Sequence, residues 1–417
     1  MSHSAELIAV GTELLLGNII NTDAQILSRG LSALGIDVYY HTVVGDNPKR
    51  LREALELART RADIIITTGG LGPTYDDLTK QVICETFGRK LQFHPDILEG
   101  IRRYFEGSGR TMPENNRQQA MLPENCTIFD NPVGTAPGCG FEEQGVHVLM
   151  LPGPPSECRY MFENRAVPYL RKLGEGVIVS HEIRISGMGE SHVEARLRDL
   201  MENAANPTLA PYTKMGECML RATAKAATEE EAETMLCPLV DEVLERLGDV
   251  VYGVDVQSIE DALSRELRRR GMTISAAESC TGGLIAKRMT DIPGASDVFL
   301  GGVVSYTNGV KMGALGVAEE LLRQHTAVSE PVALAMARGC RELCGSDLAV
   351  SVTGVAGPGP DSDGHPEGLI YIAVSGPKGE VCREIRCARG RGRDYVRTLA
   401  AQHVFSLAFR YLTDRPL

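Results

Sequence analysis

The sequence predicts an α/β protein that opens with a doubly wound parallel sheet. Three observations predict it. Short apolar runs such as Leu7-Ile8-Ala9-Val10 and Ile64-Ile65-Ile66 have the continuous pattern of strands buried on both faces. Stretches with apolar residues at helical spacing lie between them, so strand and helix alternate. The run Ile64-Ile65-Ile66 empties into a glycine-dense turn, Thr67-Thr68-Gly69-Gly70-Leu71-Gly72-Pro73-Thr74-Tyr75-Asp76-Asp77-Leu78-Thr79, ahead of another helical pattern.

Taken in order, the strand Glu6 to Val10 ends in the turn Gly11-Thr12-Glu13. Thr22 to Leu34 carries apolar residues at 24, 26, 27, 31 and 34 and reads as a helix that Gly35 ends. Asp37 to Val44 is the next strand, Pro48 to Thr60 the next helix, and Ala62 to Ile66 the strand before the glycine loop. Leu78 to Phe87 then repeats apolar residues at 78, 82, 83 and 87. This order implies right-handed crossovers and a ligand edge at the carboxyl ends of the strands, where Glu13, Asp46 and the Gly69 loop fall. His147 to Leu151 is a further buried strand. Two loops dense in Pro and Gly either close over that edge or serve as fixed turns. They are Asn131 to Gly138, with Gly134 and Thr135, and Leu151 to Glu157, with Pro152, Gly153 and Pro154.

Glycines at 69, 70 and 72 let a backbone approach an anion without Cβ interference, and the helix behind them adds positive potential. Asp76 and Asp77 would repel bare phosphate; they suit a divalent cation held between carboxylates and phosphate oxygens. The same pattern also fits a plain glycine turn with an Asp helix cap.

At roughly 150 residues per domain, 417 residues make two or three domains. Hydrophobic content of 43% and charged content of 24% are those of a soluble globular protein. No apolar run is long enough for a membrane helix, and Met1-Ser2-His3-Ser4 has no leader character, so the expected place is the cytoplasm. A net charge of −12 argues against general nucleic-acid binding. Arg386, Arg389, Arg391, Arg393 and Arg397 form a local basic patch, either a solvated face or an anion site. The 11 cysteines form no C-x-x-C pair and read as buried or free thiols.

Gly11 to Gly17, Thr67 to Thr79, Asn131 to Gly138 and Leu151 to Glu157 resemble the amino-terminal domain of the competence-damage-inducible protein A (CinA) family, which is similar in fold to MoaB and MogA. The resemblance implies an ADP-ribose pyrophosphatase. Asp76 and Asp77 would handle a divalent metal, Mg²⁺ or Co²⁺, or the attacking water, with K⁺ as a further activator. The glycine loop, with Pro73, Thr74 and Thr79, would cradle the diphosphate. It also implies a homodimer.

From about Gly176 the pattern changes. Val177 to Ile185 and Cys218 to Ala226 read as strands, Glu190 to Met201 and Thr228 to Leu247 as helices, and Tyr252 to Asp255 as a link onward. This unit is similar to the KH-like middle domain of the same family. Gly187-Met188-Gly189-Glu190 is not the GXXG clamp that holds RNA backbone, so a spacer or dimer contact is the expected role.

A third domain opens with a helix, Ile259 to Arg270, and a strand, Thr273 to Ala277, that ends in Glu278-Ser279-Cys280-Thr281-Gly282-Gly283. The stretch Val303 to Lys311 brings a strand end to Tyr306, Asn308 and Lys311 within six residues, on the same rim, and Asp347 to Thr353 is a strand ending at Gly354 to Gly357. A serine without a nearby histidine can use a lysine of depressed pKa as its base. Thr353 and the amides of Gly282, Gly283 or the Gly354 loop are candidate oxyanion donors, and Thr281 is a second candidate hydroxyl. These motifs resemble the carboxy-terminal nicotinamide-nucleotide amidase domain of the family. The implied reaction turns nicotinamide mononucleotide into nicotinate mononucleotide and ammonia, with no cofactor. Glu367 stands where that family pattern has a small apolar residue.

The expected domains are 1–172, 173–254 and 255–417. A bifunctional nucleotide hydrolase competes with a pterin-cofactor binding protein and with a non-enzymatic competence or recombination partner.

Overall fold

A computed structural model describes residues 3–173, 176–202, 205–388 and 390–416; Met1, Ser2 and Arg389 lie outside the described residues. The chain forms two compact units, Met1–Val179 with Ala224–Thr234, and Ser180–Thr223 with Met235–Leu417.

In the first unit six strands lie in the order Asp37–Val44, Ser4–Val10, Ile64–Thr68, Val146–Leu151, Gly138–Glu143, Thr127–Phe129. The first four are parallel, as alternation with helices predicts, and the last two turn antiparallel. Successive residues feed opposite faces of this sheet. Ile65 packs with Ile8, Leu51, Leu55 and Ile83, whereas Ile64 and Ile66 pack with Leu7, Leu27, Leu31 and Phe162. Burial on both faces explains why the strand reads as an unbroken apolar run.

The middle sheet has the order Thr208–Lys214, Glu217–Ala226, Val177–Ile185, Val251–Val254. The expected link at Tyr252 to Asp255 is therefore corrected. Val251 and Tyr252 are buried, and Val251 and Gly253 pair with Ile185 and Arg184 across a bulge that breaks the alternation a strand would show. The strand Thr208–Lys214 was hidden by Pro211, which an edge strand tolerates.

The carboxy-terminal sheet runs Phe299–Val304, Ile274–Glu278, Leu348–Gly354, Leu369–Gly376, Gly379–Arg386, three parallel strands and then a hairpin. The strand that leads to Lys311 stops at Val304, and Lys311 stands on the helix that follows, Asn308–Leu315. Thr307 is the reason, since its side chain accepts the Val310 amide and caps that helix. The long helix Arg393–Leu412 packs on this sheet.

Candidate active sites

The strand Ile274–Glu278 delivers Ser279 to its carboxyl end, where the Ser279 amide donates to Val352 O at 3.0 Å. The Glu278 carboxylate accepts from the amides of Gly283 (2.9 Å), Ile285 (3.1 Å) and Ala286 (2.8 Å), closing the turn onto the first turn of the helix Leu284–Thr290. A strand-end acid six residues before a helical pattern was the available signal for this anchor, and the sequence reading passed over it.

Lys311 is 1% exposed. Its Nζ donates to Ser279 Oγ at 3.0 Å and to Ser305 O at 2.6 Å, and no carboxylate is bonded to it among the described residues. Burial pushes its pKa down to about 8. A serine hydroxyl and an amine that loses its proton near neutrality are thus in direct contact.

The expected oxyanion donors are corrected. Thr353 spends its hydroxyl on Ala327 O (2.7 Å), the Gly282 amide on Ser279 O (3.2 Å) and the Gly283 amide on Glu278. The amides of Cys280 and Thr281 and the buried Thr281 hydroxyl have no protein acceptor among the described residues. Asn308 lies exposed in the first turn of its helix, and Gly354 packs against Leu369 O.

The basic patch divides. Arg386 pairs with Glu384 at 2.7 Å. Arg397 instead donates to Thr281 O from Nε (3.2 Å) and Nη2 (2.7 Å), while Arg393 donates to Gly357 O and to the hydroxyl of the half-exposed Tyr306 (3.3 Å). Neither guanidinium has a carboxylate partner among the described residues. Glu367 holds its loop, accepting from Gly359 N at 3.1 Å and Gly390 N at 3.3 Å.

In the first unit a cleft of about 550 Å³ gathers Glu13, Asp46, Gly69, Gly70, Gly72, Pro73, Thr74, Asp76, Asp77, Thr135, Pro152, Gly153 and Pro154. Gly134 lines a neighbouring cleft instead, and Thr79 is buried, its amide donating to Gly70 O at 3.2 Å. Close packing dictates two of the glycines: a Cβ on Gly69 would lie 2.2 Å from Val10 O, and one on Gly70 2.0 Å from Thr79 Oγ1. Asp77 staples the loop, accepting from Gly72 N (2.9 Å), Thr74 N (2.8 Å) and the Thr74 hydroxyl. The amides of Gly70 and Leu71 have no acceptor among the described residues.

Asp23 and Glu157, which sequence reasoning did not select, also line this cleft. Burial raises Asp23 to about 6 and raises Glu157 too, the latter opposed by a 2.6 Å hydrogen bond from Asn131. Six carboxylates therefore face the cleft (Glu13, Asp23, Asp46, Asp76, Asp77 and Glu157), and no Lys, Arg or His does among the described lining residues. Asp76 and Asp77 have no third ligand group close enough to complete a cage; among the described residues only Asp361, Asp363 and His365 come together in that way, where Asp361 is occupied in stapling its own loop.

Three family models match the chain. Residues 6–172 match the family model described as "Probable molybdopterin binding domain", residues 180–253 the "Damage-inducible protein CinA KH domain", and residues 256–412 the "CinA C-terminal domain". A "CinA-like protein" of Dictyoglomus turgidum is 47% identical over 389 residues, covering 93% of this chain and 94% of its own. Another, of Desulfovibrio desulfuricans, is 47% identical over 416 residues, 99% of this chain and 97% of its own. A solved structure of a CinA protein of unknown function from Thermoplasma acidophilum covers 39% of this chain and 95% of its own at 32% identity, with a TM-score of 0.36. Among the described residues, no helix is long and apolar enough to cross a membrane.

Proposed function

This chain belongs to the CinA family, and from that premise we propose that it is a hydrolase with two nucleotide sites: a nicotinamide-nucleotide amidase in the carboxy-terminal unit and an ADP-ribose pyrophosphatase in the amino-terminal one. The observation that carries the amidase reading is the buried Lys311 Nζ at 3.0 Å from Ser279 Oγ. Ser279 Oγ attacks the carboxamide carbon of nicotinamide mononucleotide while Lys311 Nζ takes the hydroxyl proton. The amides of Cys280 and Thr281 and the Thr281 hydroxyl receive the oxyanion. The C–N bond then breaks, and Lys311 returns the proton to the leaving nitrogen, which departs as ammonia. A water molecule, deprotonated by the same amine, attacks the acyl-serine ester; the C–Oγ bond breaks, Lys311 returns the proton to Ser279 Oγ, and nicotinate mononucleotide leaves. Arg393 and Arg397, free of carboxylate partners, are the donors for the substrate phosphate, and Tyr306 orients beside them.

The cleft chemistry supports the second site. Six carboxylates with no basic residue repel a bare diphosphate, so the donor set suits a ligand that arrives with cations. Mg²⁺ or Co²⁺ would be held by Asp76 and Asp77, with K⁺ as a further counter-ion, and would neutralise the diphosphate oxygens. The amides of Gly70 and Leu71 face the phosphates, while Asp77 keeps the loop in shape.

The match of this unit to a molybdopterin-binding domain favours a second reading, a pterin site. One experiment separates them. Pure protein is incubated with nicotinamide mononucleotide and with ADP-ribose, each with Mg²⁺ or with EDTA. Ammonia in both conditions and AMP only with metal are expected. No ammonia ends the amidase reading; molybdopterin binding without AMP formation ends the pyrophosphatase reading. A homodimer accompanies this reading, and light scattering at 45.1 kDa would remove it.

A further inference from the structure

The short helical segment Glu114–Ala120 carries Asn115, Asn116, Gln118 and Gln119, and its amides hold the glycine loop. Gln118 Nε2 donates to Gly72 O at 3.0 Å and to Thr74 O at 2.9 Å. Asn115 Nδ2 donates to Pro73 O at 3.0 Å. Three consecutive loop carbonyls are thus taken by side chains of one segment, while Asp77 takes the amides of Gly72 and Thr74 from the other side. Gln119 continues the network across the cleft, donating to Thr135 Oγ1 at 3.2 Å and accepting from Asn116 at 2.8 Å.

The segment is itself fixed from beneath. Lys80 Nζ donates to the carbonyls of Gln118 (2.9 Å) and Gln119 (3.3 Å). Lys80 is 5% exposed and has no carboxylate bonded to it among the described residues. A chain of hydrogen bonds therefore runs from a buried lysine through the segment to the loop.

A Gly-Gly-Leu-Gly stretch has much more backbone freedom than a loop of residues bearing side chains, and a ligand that must order it loses affinity in doing so. We infer that Glu114–Ala120 is a clasp that holds the Gly69–Thr74 loop in its ligand-ready form, with Gln118 as the positioning residue and a nucleoside-diphosphate sugar as the ligand served. The inference rests on the pyrophosphatase reading of this cleft. Because the clasp touches the loop's carbonyls and leaves the amides of Gly70 and Leu71 unused, it governs binding more than turnover.

The test compares full-length protein with its Gln118→Met variant, a half-buried change of similar length that removes both donors. Steady-state kinetics with ADP-ribose and Mg²⁺ are measured, together with calorimetric binding, also in Mg²⁺, of an uncleavable ADP-ribose analogue with a methylene-bridged diphosphate. Amidase activity of the same samples, from the other unit, reports intact protein. The expected result is a rise of roughly tenfold in KM and Kd, from two lost hydrogen bonds, with kcat within about threefold and amidase turnover unchanged. Asn115→Ala should shift KM the same way by less. Wild-type KM and Kd in Gln118→Met, or a fall in kcat alone, overturns the clasp while leaving the pyrophosphatase reading in place. Wild-type protein that neither binds the analogue nor cleaves ADP-ribose overturns both.

Discussion

An amine in contact with a nucleophile serves as a base only in its neutral form, which makes Lys311 the residue whose protonation should set the rate. With a pKa near 8, pushed down by burial, most of it is protonated at pH 7 and most is neutral at pH 9. Ammonia release should therefore climb through pH 8 and level off above it; a flat profile from pH 6 to 9 would count against Lys311 as the base. Ser279→Ala and Lys311→Met should each lose at least about a thousandfold in kcat, and the double variant little more, because the two act as one unit. Independent, multiplying losses would contradict that pairing. Both residues were legible in the sequence, since a hydroxyl at a strand-to-helix turn and a lysine beside a second strand end suggest one rim. Thr353 was misread for a physical reason: its partner, Ala327 O, lies 26 residues away, and nothing local shows that the hydroxyl is already taken.

Among the elements, the turn from Ile274–Glu278 into Leu284–Thr290 depends on one carboxylate. Glu278 accepts three backbone amides. Glu278→Gln keeps the shape but leaves one oxygen as acceptor, so the variant should be less stable by roughly 1–3 kcal/mol. It should also release ammonia more slowly, because the turn carries Ser279. Thermal melting and the amidase assay measure the two effects; an unchanged melting temperature would show that the cap is replaceable. Elements with a clean period were readable from sequence alone: the strand expected at Asp37–Val44 and the helix expected at Ile259–Arg270 have those bounds. The helix Asn308–Leu315 was not, because its start is marked locally by one capping residue, Thr307, three residues after the strand ends at Val304. The clasp Glu114–Ala120 was invisible for another reason: its polar amides point at a loop 42 residues earlier, a relation that no local pattern encodes.

At the scale of the whole chain, the carboxy-terminal domain shares a compact unit with most of the middle domain. Tyr252 and Val256 belong to its core, Ser186 bonds Ser406 at 3.0 Å, and Arg415 donates to Val251 O. A fragment starting at Gln257 should consequently melt several degrees below one starting at Ser180, the loss of two buried side chains amounting to about 3 kcal/mol. Equal melting temperatures would show that the middle domain contributes nothing to this core. The cleft of the other unit has its own long-range consequence. Six carboxylates within a chain of net charge −12 surround it with negative potential, so an anionic ligand is pushed away as it diffuses in. Added salt shortens the reach of that repulsion to about 10 Å at 0.1 M. Capture of a nucleotide should then quicken as ionic strength rises, the reverse of a protein that draws anions in with a basic mouth.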